Sequence, residues 1–134
     1  MNKNIDNLRK NAEEARKNAY IPYSGFAVGA ALETDDGEII SGCNVENASY
    51  GLSCCAERNA IFKAVSMGKK KFKSIYIVAD TEDPVSPCGA CRQVLREFGV
   101  FDVYLANLKG DIKETNTEEL LPYGFSSDDL NEKK

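Results

Sequence analysis

The chain has 134 residues, 43% of them hydrophobic and 28% charged, with a formal net charge of −4. That length suffices for one domain with its own core, and the composition is that of an ordinary globular protein. The acidic balance argues against a nucleic-acid surface, and no apolar run approaches the ~18 residues of a membrane span.

Ile5, Leu8, Ala12, Ala15 and Ala19 recur at spacings of three and four, which predicts an amphipathic helix from 5 to 19 that stops before Pro22. The polar character of this first stretch, without an apolar leader, points to a cytoplasmic protein. Residues 26–34 and 38–42 flank Asp35-Asp36-Gly37 and predict a hairpin. Residues 43–52 lack periodicity and read as a loop; Asn44, Glu46 and Asn47 make it a candidate binding segment. Ala60, Ile61, Ala64 and Val65 predict a helix from Ala56 to Gly68, and the apolar run 72–79 a buried strand. Lys69-Lys70-Lys71-Phe72-Lys73 reads as a solvated turn between the two. A second helix is predicted over 88–98, a strand over 101–106, a short strand around Ile112-Lys113 and one helical turn over 117–121. Residues 126–134 read as a flexible tail. This order predicts a single α/β domain spanning 1–134, with a mixed five-stranded sheet, helices on both faces and three layers in all. A right-handed parallel crossover is expected between 72–79 and 101–106.

The chain has no histidine and five cysteines, an odd number that a reducing compartment keeps from pairing. Cys55 opens one predicted helix, and Cys88 and Cys91 open another. A helix N-terminus favours negative charge, so all three are biased toward the thiolate that metals require. Three thiolates bind Zn²⁺ and leave the fourth tetrahedral position open, which marks a catalytic rather than a structural ion. Glu57, two residues after Cys55, is placed to take a proton from water in that position and pass it to a leaving group. Arg58 and Arg92 each follow a critical residue, and one or both are expected to donate to the thiolates and withdraw charge from the ion. Cys43 and Cys54 fit no ligand spacing and read as small apolar side chains. Two rival readings stand beside this one. Cys88-Gly89-Ala90-Cys91 suits a thiol–disulfide redox pair, and Cys54 or Cys43 as a fourth ligand would make a purely structural zinc module.

Cys-Ala-Glu followed by Pro-Cys-x-x-Cys is the three-cysteine form of the zinc deaminase signature. Beyond it, the chain resembles the small homotetrameric cytidine deaminases over nearly its full length. The resemblance rests on Pro22-Tyr23-Ser24 with 26–31, Gly42-Cys43-Asn44-Val45-Glu46-Asn47-Ala48, Cys55-Ala56-Glu57-Arg58, residues 86–93, and Leu120-Leu121-Pro122 with Phe125. It implies a cytidine deaminase-like fold and hydrolytic deamination of cytidine and 2′-deoxycytidine in pyrimidine salvage. It implies one zinc per subunit on Cys55, Cys88 and Cys91, with Glu57 as proton shuttle. Asn44 and Glu46 would grip the ribose 3′-hydroxyl, Phe26 would stack near the pyrimidine, and Ala56 would be a further substrate contact. The family is tetrameric, so the resemblance also implies sites completed by neighbouring subunits, with Ala48, Tyr50 and Phe125 contributed across the interface. Cys54 and Asn59 depart from the pattern, which leads one to expect a less reactive residue and a small hydroxyl residue at these positions; the departure bears on fine tuning and not on the reaction.

Overall fold

The computed structural model describes residues 2–131. Its elements are α1 (Ile5–Arg16), β1 (Val28–Thr34), β2 (Ile39–Cys43), a 3-10 turn (Tyr50–Leu52), α2 (Ala56–Ser66), β3 (Phe72–Ala79), α3 (Gly89–Glu97), β4 (Asp102–Asn107), β5 (Ile112–Asn116) and α4 (Ser127–Asn131). The five strands form one sheet in the order β2-β1-β3-β4-β5. β3 and β4 pair in parallel across α3, as predicted, and the other neighbours are antiparallel. The hairpin turns at Gly37, whose φ of +89° is the left-handed posture that glycine adopts without strain.

Successive strand residues point to opposite faces, so β1, β3 and β4 each feed two cores. Ala31, Tyr76, Val78, Tyr104 and Ala106 pack with Leu8 and Ala12 of α1. Ala30, Leu32, Ile75, Ile77, Val103 and Leu105 pack with Ala60, Ile61 and Ala64 of α2 and Leu95 of α3. Three layers result, as expected. Two glycines bring the layers close. A Cβ on Gly29 would lie 2.0 Å from the Ala12 carbonyl of α1, and one on Gly42 would lie 2.7 Å from the Ala60 nitrogen of α2.

Several predicted boundaries shift. The first helix ends at Arg16 rather than near 19 because residues 17–19 continue only as i→i−3 turns, and Tyr20 then donates its N–H to the Asn44 carbonyl. β5 runs on to Asn116 because it pairs with β4 down to Asp102. The predicted turn over 117–121 is present, begun by Asn116, whose side-chain oxygen accepts from the N–H groups of Glu118 and Glu119. Within the predicted tail, Ser127–Asn131 form the short helix α4; residues 132–134 lie outside the described residues.

Glu33 is a buried carboxylate at the far end of β1, 1% exposed. Its oxygens accept from Asn2 and Ser74 on one side and Asn4 on the other, at 2.6 to 2.9 Å. Burial alone would raise its pKa; these hydrogen bonds outweigh burial and hold it below the ordinary carboxylate value of 4.5.

Candidate active site

β2 runs parallel to β3, and α2 and α3 both begin at the end of the sheet where those strands finish. The C-terminus of β2, the N-terminus of β1 and the first turns of both helices therefore meet at one place. Register confirms it: Gly29 pairs with Cys43, and Val28 with Ala79. This is the strand-end crevice where open α/β sheets bind ligands.

Cys55 is the N-cap of α2, Cys88 is the N-cap of α3, and Cys91 lies in the first turn of α3. The Cys55 and Cys88 sulfurs are 3.7 Å apart and those of Cys88 and Cys91 3.3 Å. Tetrahedral Zn–S bonds of about 2.3 Å put sulfurs about 3.8 Å apart, so the three match a zinc donor set. All three ligand atoms lie within 4.8 Å of one another, and among the described residues no fourth Cys, Asp or Glu joins them. The fourth position is open. This removes the support for a structural zinc module, since neither Cys43 nor Cys54 belongs to the group. Both are half-buried, and burial pushes their thiols up. The redox reading keeps its close Cys88–Cys91 pair but gives no role to the converging Cys55.

The surroundings of the sulfurs favour a shared negative charge. The Cys91 amide N–H donates to Cys88 Sγ at 3.5 Å, and Arg58 Nη2 to Cys55 Sγ at 3.5 Å. Hydrogen bonds from Cys91 and then Arg58, acting against burial, hold the Cys55 thiol well below its usual range. Cys91, which donates to Cys55 and is buried, is pushed up. Of the two arginines, one or both expected to donate to the thiolates, Arg58 is the one that does. Arg92 turns elsewhere: Nε donates to the Pro87 carbonyl (2.9 Å), Nη1 to the Leu120 carbonyl (3.0 Å) and Nη2 to Ser86 Oγ (2.7 Å). Its planar fork fits three oxygens around the Pro87 turn, and it braces the peptide before Cys88 instead of touching a thiolate.

Glu57 is 4% exposed, in the first turn of α2. Its carboxyl lies against the Cys91 thiol, and burial pushes its pKa up. A raised carboxyl beside a metal position is what a group that must both take and give a proton requires.

The polar loop supplies the other wall. Asn44 Nδ2 donates to the Phe26 carbonyl (2.8 Å) and Oδ1 accepts from the Val28 N–H (2.9 Å). Asn44 thus holds the Phe26 peptide in place, leaving one N–H and one lone pair for a ligand. Glu46 accepts from the N–H groups of Tyr23 and Ser24, both at 3.1 Å, and from the Ser24 hydroxyl. The Ser24 hydroxyl is the main cause of its lowered pKa. Glu46 borders an open cleft of about 360 Å³ lined by Tyr23, Ser24, Tyr50 and Ser53. Ala56 is buried under Gly42, so it can offer a ligand only its main chain. Phe26, Ala48, Tyr50 and Phe125 are exposed around this end of the molecule. Gln93 Nε2 ties down the Phe125 carbonyl at 2.7 Å.

Sequence reasoning gave Ser24, Asn59 and Gln93 no roles. Ser24 and Gln93 lie inside segments that carry the resemblance, which was the available signal; for Asn59 the signal was its departure from the family pattern, one turn after Cys55.

Against known proteins, the model of the cytidine and deoxycytidylate deaminase zinc-binding region matches residues 2–107. The chain belongs to this deaminase family. It is 57% identical over 128 residues to a cytidine deaminase of Sporosarcina psychrophila, covering 94% of each chain. It is 56% identical over 127 residues to that of Halalkalibacterium halodurans, covering 93% of this chain and 96% of the other. The crystal structure of cytidine deaminase from Burkholderia pseudomallei superposes with a TM-score of 0.89 at 49% identity, covering 93% of this chain and 100% of that one. The deaminase family binds zinc in the matched region, and the sulfur geometry here fits that ion.

Proposed function

We propose that this chain hydrolyses cytidine and 2′-deoxycytidine to the uridine nucleosides and ammonia, with Cys55, Cys88 and Cys91 holding zinc and Glu57 moving the protons. The observation that carries the reading is the buried, raised Glu57 carboxyl beside three converged sulfurs with no fourth protein ligand. Zinc in that position supplies Lewis acidity that makes water a nucleophile at neutral pH. Glu57 takes one proton from the attacking water and delivers it to ring N3 as the C4–O bond forms. It then carries the second proton to the exocyclic amine, the C4–N bond breaks, and ammonia leaves with the carboxylate restored. Arg58 holds charge on Cys55, and Arg92 fixes the turn that presents Cys88.

Asn44 and Glu46 face a sugar hydroxyl, and Phe26, its peptide held by Asn44, stacks on the base. Recognition through the 3′-hydroxyl leaves the 2′ position free, so both sugars are accepted. We further infer a cytoplasmic homotetramer whose neighbouring subunits close each site; the exposed Phe26, Tyr50 and Phe125 support it. No helix among the described residues is long and apolar enough to cross a membrane.

The test is turnover of cytidine by the zinc-loaded protein, read as loss of cytidine absorbance, beside Glu57→Gln. The variant should keep its zinc and lose activity by roughly 10³-fold or more. A variant that turns over at near the wild-type rate removes Glu57 from the mechanism, and an inactive, folded, zinc-loaded wild type refutes the reaction.

A further inference from the structure

We propose that Asn59 is a positioning residue that locks the sugar-binding loop to the metal ligand Cys55; this rests on the deaminase reading above. Asn59 lies in α2, one turn after Cys55, and its own N–H donates to the Cys55 carbonyl at 3.1 Å. Its side-chain Nδ2 donates twice. One bond goes to the Cys43 carbonyl at 2.8 Å, the other to the Cys54 carbonyl at 3.3 Å. Each of these carbonyls belongs to the peptide that leads into a site residue. Cys43 is followed by Asn44, which holds Phe26, and Cys54 is followed by Cys55.

A second observation places the clasp where the geometry is decided. Gly42, beside Cys43, lets β2 approach the α2 backbone so closely that a Cβ would lie 2.7 Å from the Ala60 nitrogen and 2.9 Å from the Ala56 carbonyl. The glycine permits this approach and Asn59 fastens it. Between the two carbonyls, residues 45–53 leave and return through a single bridge, in which Val45 and Cys54 exchange backbone hydrogen bonds at 3.0 and 2.9 Å. That bridge, with the Asn47 N–H donating to Ser53 Oγ at 3.0 Å, closes the loop on itself, and the two Asn59 bonds fasten both of its ends to α2.

The chemistry of the side chain is specific. A primary amide carries two N–H donors on one nitrogen and can satisfy two carbonyls at once. A hydroxyl carries one proton and can satisfy only one of them. Asn59→Thr therefore keeps half of the clasp, and Asn59→Leu fills similar volume with neither donor.

The readouts are the rate at which a chelator strips zinc, the KM and kcat for cytidine, and uridine binding by calorimetry, all well below each variant's melting temperature. Zinc release and KM should both rise in the order wild type, Thr, Leu, by about tenfold for Leu, while kcat changes far less. Uridine affinity should weaken in the same order. If both variants release zinc and bind uridine as the wild type does, with only their melting temperatures lowered, Asn59 merely stabilises the fold and the proposal fails. If Asn59→Leu does not fold, Asn59→Thr decides the question. A zinc-loaded wild type that binds neither uridine nor cytidine instead overturns the deaminase reading, which these measurements separate from the role of Asn59.

Discussion

Glu33 shows how single residues carry stability away from the chemistry. Its folded pKa lies below the ordinary value, so its contribution is present above pH 4.5 and is lost as pH falls through the lower folded value. Unfolding by urea at pH 7 and at pH 4 should show Glu33→Gln less stable by about 2 kcal/mol at pH 7 and the difference narrowing at the lower pH. An equal difference at both would mean that the carboxylate charge is not what Asn2, Asn4 and Ser74 recognise. The same scale shows what sequence alone could read. That Cys55, Cys88 and Cys91 converge with Glu57 beside them was legible because helix starts, ligand spacing and the lack of histidine left few other arrangements. Which of Arg58 and Arg92 meets a thiolate was not legible, because both follow a critical residue; the Arg92 fork found three oxygens of the Pro87 and Leu120 segments, a choice only folding could make. Asn44 was named for the sugar, yet it first serves the Phe26 peptide.

At the level of elements, the sequence was most informative where packing left a plain pattern. β3 occupies Phe72–Ala79, the predicted span, because a strand buried on both faces reads as a continuous apolar run. Ends governed by distant partners, such as the stop of α1 and the length of β5, were not legible. Nor was the contact of β2 with α2, which depends on two backbones meeting across the fold at Gly42. A Gly42→Ala substitution should cost about 2–3 kcal/mol, because its Cβ would meet backbone and not a side chain that can turn aside. Gly89→Ala, where nothing lies within 4 Å, should change stability by less than ~1 kcal/mol in the same melts. Equal effects at the two glycines would show that the β2–α2 approach is looser than this.

Assembly is the scale at which the resemblance reaches furthest beyond the single chain. Sedimentation should give a particle of about four times 14.7 kDa, the tetramer that the resemblance implies. If neighbours share sites, Glu57→Gln and Phe125→Ala chains, each weakly active alone, should regain activity when mixed, since some sites then receive an intact residue of each kind. A mixture that stays at the sum of its parts would make each site self-sufficient. Little of this was legible from composition, because an exposed aromatic looks the same in a sequence whether water or a neighbour covers it.

Gly29 and Gly42 sit on opposite faces of the same antiparallel pair, one against α1 and the other against α2. The layers therefore meet closely at the end of the sheet that carries Asn44 and Cys55, where backbone rests on backbone from either side. Such a floor has no rotamers to exchange, so it can neither be softened nor retuned one side chain at a time. Variation in what the molecule accepts has to come from the rim, residues 45–53 and the C-terminal aromatics, while the distance between Asn44 at the end of β2 and Cys55 at the start of α2 stays a fixed gauge.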